Sequence, residues 1–153
     1  FPSKESLFLS VVGHAGDRLM RRVDRAIVNI DDPISRVEVA LATTLHTLTE
    51  HRTLANLLMS KGYGIGDPFF KKRSEIFAKF AGRIKLLLDQ ALPKDNAESL
   101  NTEVIAYAFM GAISEVVAQS LGTDTNPVDD ALPTLRKLFM RGVGLQTYEN
   151  EHK

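Results

Sequence analysis

Apolar residues recur at three- and four-residue intervals from one end of this chain to the other, and nowhere is a two-residue alternation sustained. That period lines apolar side chains along one stripe of an α-helix, whereas a half-buried strand needs alternation. The pattern predicts an all-α fold of several helices, and the breaks between stripes carry residues that start and stop helices. Ser3 is a natural N-cap for a first helix reaching about Asn29, with Leu7, Val11, Val12, Ala15, Leu19, Val23 and Ile27 on one face and Arg18, Arg21, Arg22 and Arg25 on the other. Asp32-Pro33 pairs a capping carboxylate with proline at the first helical position, where its missing N–H costs nothing. The second helix is predicted to run to about Ser60, with a break near Glu50-His51-Arg52-Thr53 where the apolar register shifts and Thr49 or Thr53 caps a shorter helix.

Gly62, Gly64 and Gly66 read as a flexible connection, Asp67-Pro68 as another cap-plus-proline start, and Leu92-Pro93 as the stop of the helix between them. The next helix, from about Ser99 to Leu121, is different. Val104 to Met110 is unbroken apolar sequence, and Ala112, Ile113, Val116 and Val117 follow. A helix apolar most of the way round must be covered on most sides, so a second copy of the chain is expected against it. Asn126-Pro127 opens the last helix, in which Pro133 stands either in the first regular turn or at a kink. Gly142 and Gly144 close it, and a polar tail follows from Tyr148.

Nineteen Lys and Arg balance 19 Asp and Glu. A self-sufficient nucleic-acid binder draws its affinity from phosphate neutralisation and carries a basic surplus, so this stretch is not expected to bind DNA alone. There is no cysteine, which removes disulfides, thiolate metal sites and cysteine nucleophiles. No apolar run approaches the roughly 18 residues that span a bilayer. The expectation is a cytoplasmic chain with no membrane partner, and Phe1 in place of an initiator methionine suggests a processed or cut start.

Catalytic constellations are missing. His46 and Glu50 stand four apart and can share one helix face, but there is no His-Glu-x-x-His pattern, and no metal or cofactor is assigned. The Gly62–Gly66 stretch lacks the Gly-Lys-Ser/Thr ending of a phosphate loop. Ser10, His14 and Asp17 lie on an open, charged helix face, not in a shielded site. No enzyme is expected. The aromatic residues Phe69, Phe70, Phe77, Phe80, Tyr107 and Phe109 fit core packing, with an apolar pocket between helices as the functional alternative. The basic residues between Lys71 and Lys85 fit the solvated face of an amphipathic helix.

The opening, Phe1-Pro2-Ser3-Lys4-Glu5-Ser6-Leu7-Phe8, resembles the segment that closes the helix-turn-helix head of bacterial TetR-like transcriptional regulators. Ala106-Tyr107-Ala108-Phe109-Met110-Gly111-Ala112-Ile113 is similar to that family's penultimate helix, and Leu135 to Val143 to its last. The resemblance implies that 1–8 is the end of the DNA-binding head and 9–153 the ligand-binding and dimerisation domain. The resemblance implies that the rest of the head, with the recognition helix, is the missing part that would read operator DNA. Ser3 and Lys4 remain as DNA-backbone contacts, since a helix N-terminus favours an anion; otherwise they are a cap and a solvated lysine.

The resemblance also implies a pocket among the helices from Leu7 to Met110, with Leu45, His46, Leu48, His51, Phe77, Phe80, Tyr107 and Met110 as ligand-binding residues. A homodimer is expected through a four-helix bundle, with Ala108, Ala112, Ile113, Val116, Leu135 and Phe139 at the interface. The function so implied is a ligand-responsive repressor whose small apolar or aromatic effector alters DNA binding by the head. The alternative is a helical protein- or lipid-binding module unrelated to transcription.

Overall fold

The computed structural model describes residues 3–59, 66–93, 100–124 and 127–145. All regular structure among them is helical: α1 (Lys4–Ile27), α2 (Pro33–Glu50), α3 (Arg52–Met59), α4 (Asp67–Ala91), α5 (Thr102–Ser120) and α6 (Pro127–Gly142). Phe1, Pro2, the glycines Gly62 and Gly64, Ser99, Asn126 and the tail from Tyr148 lie outside the described residues.

Helix starts follow the capping chemistry of the sequence, with two corrections. Ser3 Oγ accepts the Ser6 N–H at 3.1 Å. Asp32 Oδ2 accepts both the N–H (2.9 Å) and the hydroxyl (2.6 Å) of Ser35, with Pro33 opening α2 behind it. Thr49 caps nothing: its hydroxyl donates back to the Leu45 and His46 carbonyls, and His51 terminates α2. Asp67 is not a cap but the first residue of α4. Gly66 takes the cap position at φ 72°, a left-handed backbone that glycine adopts without strain. α5 starts at Thr102, where Asn101 Oδ1 accepts from Glu103 and Val104 N–H groups. α6 is one helix with Pro133 inside it. Gly144 closes it at φ 79°, with Leu145 N–H on Met140 O and Gly144 N–H on Arg141 O, the paired bonds of a Schellman ending.

α2 is the central helix and touches the other five. α4 lies along α5, α1 along α2, and α6 closes against α2 and α5. One continuous apolar core results, with Val12, Leu19, Leu45, Leu48, Leu58, Phe69, Leu88, Met140 and Val117 almost wholly enclosed. α1 and α4 meet at Gly16, where a Cβ would stand 2.8 Å from Ile76 Cγ2. Polar ties hold helix ends together. Arg52 donates to the Leu121 carbonyl at 2.7 Å, placing a cation at the C-terminus of α5. Thr102 donates to Asp89 at 2.7 Å, fixing the start of α5 to the end of α4. No helix among the described residues is long and apolar enough to cross a membrane.

Candidate ligand-binding site

All six helices border one space. α1 supplies Leu19, Met20, Val23 and Asp24; α2 supplies Val37, Ala40, Leu41 and Thr44. α4 contributes the run from Ile76, Phe77 and Phe80 to Leu87, α5 adds Phe109, Met110, Ile113 and Ser114, and α6 adds Phe139 and Met140, while Leu58 and Met59 of α3 reach in from the side. The cavity measures about 60 Å³, well below the roughly 300–1,000 Å³ of sites that hold drug-sized ligands. Its wall is unusual in one respect. The chain has four methionines, Met20, Met59, Met110 and Met140, and all four stand on it. Methionine is unbranched and readily changes rotamer, so these four side chains can move aside where the valines and isoleucines beside them would not.

The polar groups on the wall are few. Thr44 Oγ1 donates to the Ala40 carbonyl at 2.8 Å within its own helix. Asp24 and Arg83 pair across α1 and α4, at the solvent side of the cavity. Ser114 Oγ is different: it is buried with no hydrogen-bond partner among the described residues. A buried hydroxyl without a partner forfeits its hydration, and this one lies on the cavity wall where a ligand acceptor can reach it.

A second space adjoins the first. It is a cleft of about 510 Å³ bounded by Met59, Arg73, Ser74, Phe77, Tyr107, Met110, Gly111, Ser114, Glu115 and Ala118, and it shares Met59, Phe77, Met110 and Ser114 with the cavity. Arg73 stacks over the Phe77 ring, its guanidinium carbon 4.2 Å from the ring centroid. Its Nε donates to the Leu58 carbonyl at 2.9 Å. Partial burial lowers its pKa from the usual arginine value. A third cleft, of about 330 Å³, runs between α1 and α3, lined by His14, Arg18, Arg22, Thr47 and His51 among others.

The pocket residues expected from sequence divide among these places. Phe77, Phe80 and Met110 line the cavity. Tyr107 is half exposed in the adjoining cleft. Leu45 and Leu48 are buried in the core but off the cavity wall. His46 faces solvent. His51 lines the third cleft, where its Nε2 takes a hydrogen bond from Arg22 Nη1 at 2.9 Å, and Arg22 also reaches Glu50 at 3.3 Å. Only the family resemblance places His46 and His51 at the pocket; the helical period does not, and His51 stands at the expected break between α2 and α3. Sequence reasoning missed Met20, Met59, Met140, Ser114 and Arg73. The scarce methionines, each at a core-facing position, were the available signal.

The expected interface residues also divide. Ile113, Leu135 and Phe139 are within the protomer's own core, and Phe139 stacks on Phe109 with ring centroids 3.9 Å apart. Ala112 and Val116 are partly buried, and Ala108 is exposed. The apolar side chains left uncovered nearby are Val104 (63% exposed) on α5 and Leu138 (60%) on α6. Ser3 and Lys4 are exposed at the start of α1, with the Ser3 side chain used as its cap. Among the described residues no three His, Asp or Glu side chains converge as metal ligands. No family model matches the chain, and no curated protein or solved structure matches it.

Proposed function

We propose that this chain is the effector-binding and dimerisation body of a ligand-responsive transcriptional regulator of the TetR-like kind, acting as a repressor, with the methionine-walled cavity as its effector site. The cavity carries the reading. It is apolar, all six helices contribute to its lining, and its methionines can yield to a ligand larger than the space between them. α1 adds a mechanical reason: one helix both forms the cavity wall, through Leu19, Met20 and Val23, and begins at the Ser3-Lys4 segment that resembles the end of a DNA-binding head. α1 has 24 residues and so extends about 36 Å. A ligand that binds one placement of α1 better than another shifts the population toward it. Two heads on a dimer then lose or gain the half-site spacing of roughly 34–36 Å that operator binding requires.

The test is a neutral apolar fluorophore, N-phenyl-1-naphthylamine. It is expected to bind one site per chain with a blue-shifted emission, and Ala40→Phe, which fills the cavity from α2, is expected to remove that binding while helical content is retained. Equal binding by the native chain and a folded Ala40→Phe variant would place the probe elsewhere and overturn the assignment.

A further inference from the structure

The effector site has a polar end that apolar complementarity does not explain. The cleft beside the cavity holds a cation built in place. Arg73 is fixed at Nε by the Leu58 carbonyl and on one face by the Phe77 ring. Its terminal nitrogens make no hydrogen bond or ion pair with the described residues. The other charged group on this cleft, Glu115, is turned along α5, where its Oε1 accepts from Gln119 at 2.8 Å. Met59, Phe77, Met110 and Ser114 belong to both this cleft and the apolar cavity.

We infer that the ligand is an apolar monocarboxylate, with its carboxylate in the cleft on the terminal nitrogens of Arg73, its body passing Ser114 and its tail in the methionine-walled cavity. This rests on the proposal that the cavity is the effector site and specifies what occupies it. The two terminal nitrogens of a guanidinium lie in one plane and match the two oxygens of a carboxylate. With Nε already engaged, that end-on fork is the part left to a ligand. Partial burial weakens competition from water and depresses the Arg73 pKa, and an arriving anion offsets the cost of that desolvation. The Ser114 hydroxyl, otherwise without a partner, donates to the nearer carboxylate oxygen or to a substituent beside it. Along α4 the lining residues run from Ile76 to Leu87, about 16 Å at roughly 1.5 Å per residue, so a linear tail would lie along this helix. The methionines make room by rotamer change.

The test uses dodecanoate and dodecan-1-ol, which share a tail and differ in the head, each displacing N-phenyl-1-naphthylamine from the full chain. Dodecanoate is expected to displace at about a tenfold lower concentration or better, the ratio set by one charge-assisted contact. Arg73→Gln is expected to bring the acid to the alcohol's level and leave the alcohol unchanged, and Arg73→Lys to restore part of the difference. Glu115→Gln is expected to tighten the acid alone. Equal displacement by acid and alcohol in the native chain overturns the carboxylate assignment while leaving the cavity in place. So does an Arg73→Gln variant that weakens both ligands alike, because Arg73 would then only hold the end of α3. Failure of the fluorophore itself to bind overturns the cavity reading on which the inference stands. The acid-to-alcohol ratio in the native chain decides the matter even if Arg73→Gln does not fold.

Discussion

Two glycines on α1, three residues apart, show how one residue type takes opposite roles. A Cβ at Gly16 would stand 2.8 Å from Cγ2 of Ile76, a branched side chain with little freedom to turn away. A Cβ at Gly13 would meet Cε of Lys72, the far end of a flexible chain. Alanine gains about 1 kcal/mol over glycine in a helix interior, but overpacking costs about 1–3 kcal/mol. Gly13→Ala is therefore expected to raise the urea midpoint, and Gly16→Ala to lower it by the equivalent of up to about 2 kcal/mol. A Gly16→Ala variant more stable than the native chain would show that α1 and α4 do not approach this closely. Neither glycine was distinguishable in the sequence, because the difference lies in what α4 brings opposite each.

At the scale of the helix, the Asp32 cap makes a pH-dependent contribution that can be read directly. The Ser35 hydroxyl, and then the Ser35 N–H, donate to its carboxylate and hold its pKa below the ordinary 3.8. A carboxyl with a lowered folded-state pKa contributes stability that is present in full above 3.8 and lost as the pH falls through the folded value. Asp32→Ala is thus expected to lose stability at neutral pH, with the deficit shrinking as the pH is taken below 3.8. Urea melts of both proteins at several pH values measure this, and a deficit independent of pH would show that the charged cap is not what holds the start of α2. The caps were legible because an N-cap bond joins residues two or three positions apart. The turn at His51 was only partly so: the break was placed correctly, but of the two threonines expected to cap the next helix, Thr49 returns its hydroxyl to its own helix and Thr53 lies inside α3.

For the whole molecule the open question is what covers α5. Its inner side, through Ala106, Phe109, Met110, Ile113 and Val117, is buried by the protomer's own helices. A glutamate at Ile113 would therefore enter the core and test folding, not association. Val104 and Leu138 are the side chains to change. If two copies pair through α5 and α6, Val104→Glu and Leu138→Glu are expected to turn a dimer into a monomer with unchanged helical content, as read by sedimentation. A native chain that is monomeric at all concentrations, or a double variant that remains dimeric, would remove this face as the interface. A stable dimer buries about 800 Å² per partner, so two side chains serve as centres of such a patch and not as its whole.

Helix number, order and most of the boundaries were set by the sequence alone, since the apolar period and the proline, glycine and cap residues act over a few positions. The all-α class followed from the same local signals. The site did not. The cavity exists because Met20, Met59, Met110 and Met140, separated by dozens of residues, come to one wall, and its polar end because Ser114 on that wall and Arg73 in the adjoining cleft approach from different helices. Which apolar residues serve the core, a cavity or an outer face is decided by how the helices pack, and periodicity records only that each is apolar. Packing alone also took His46 and His51 away from the cavity and brought Phe139 into it, because side chains on one stripe diverge once neighbouring helices cross them at different heights.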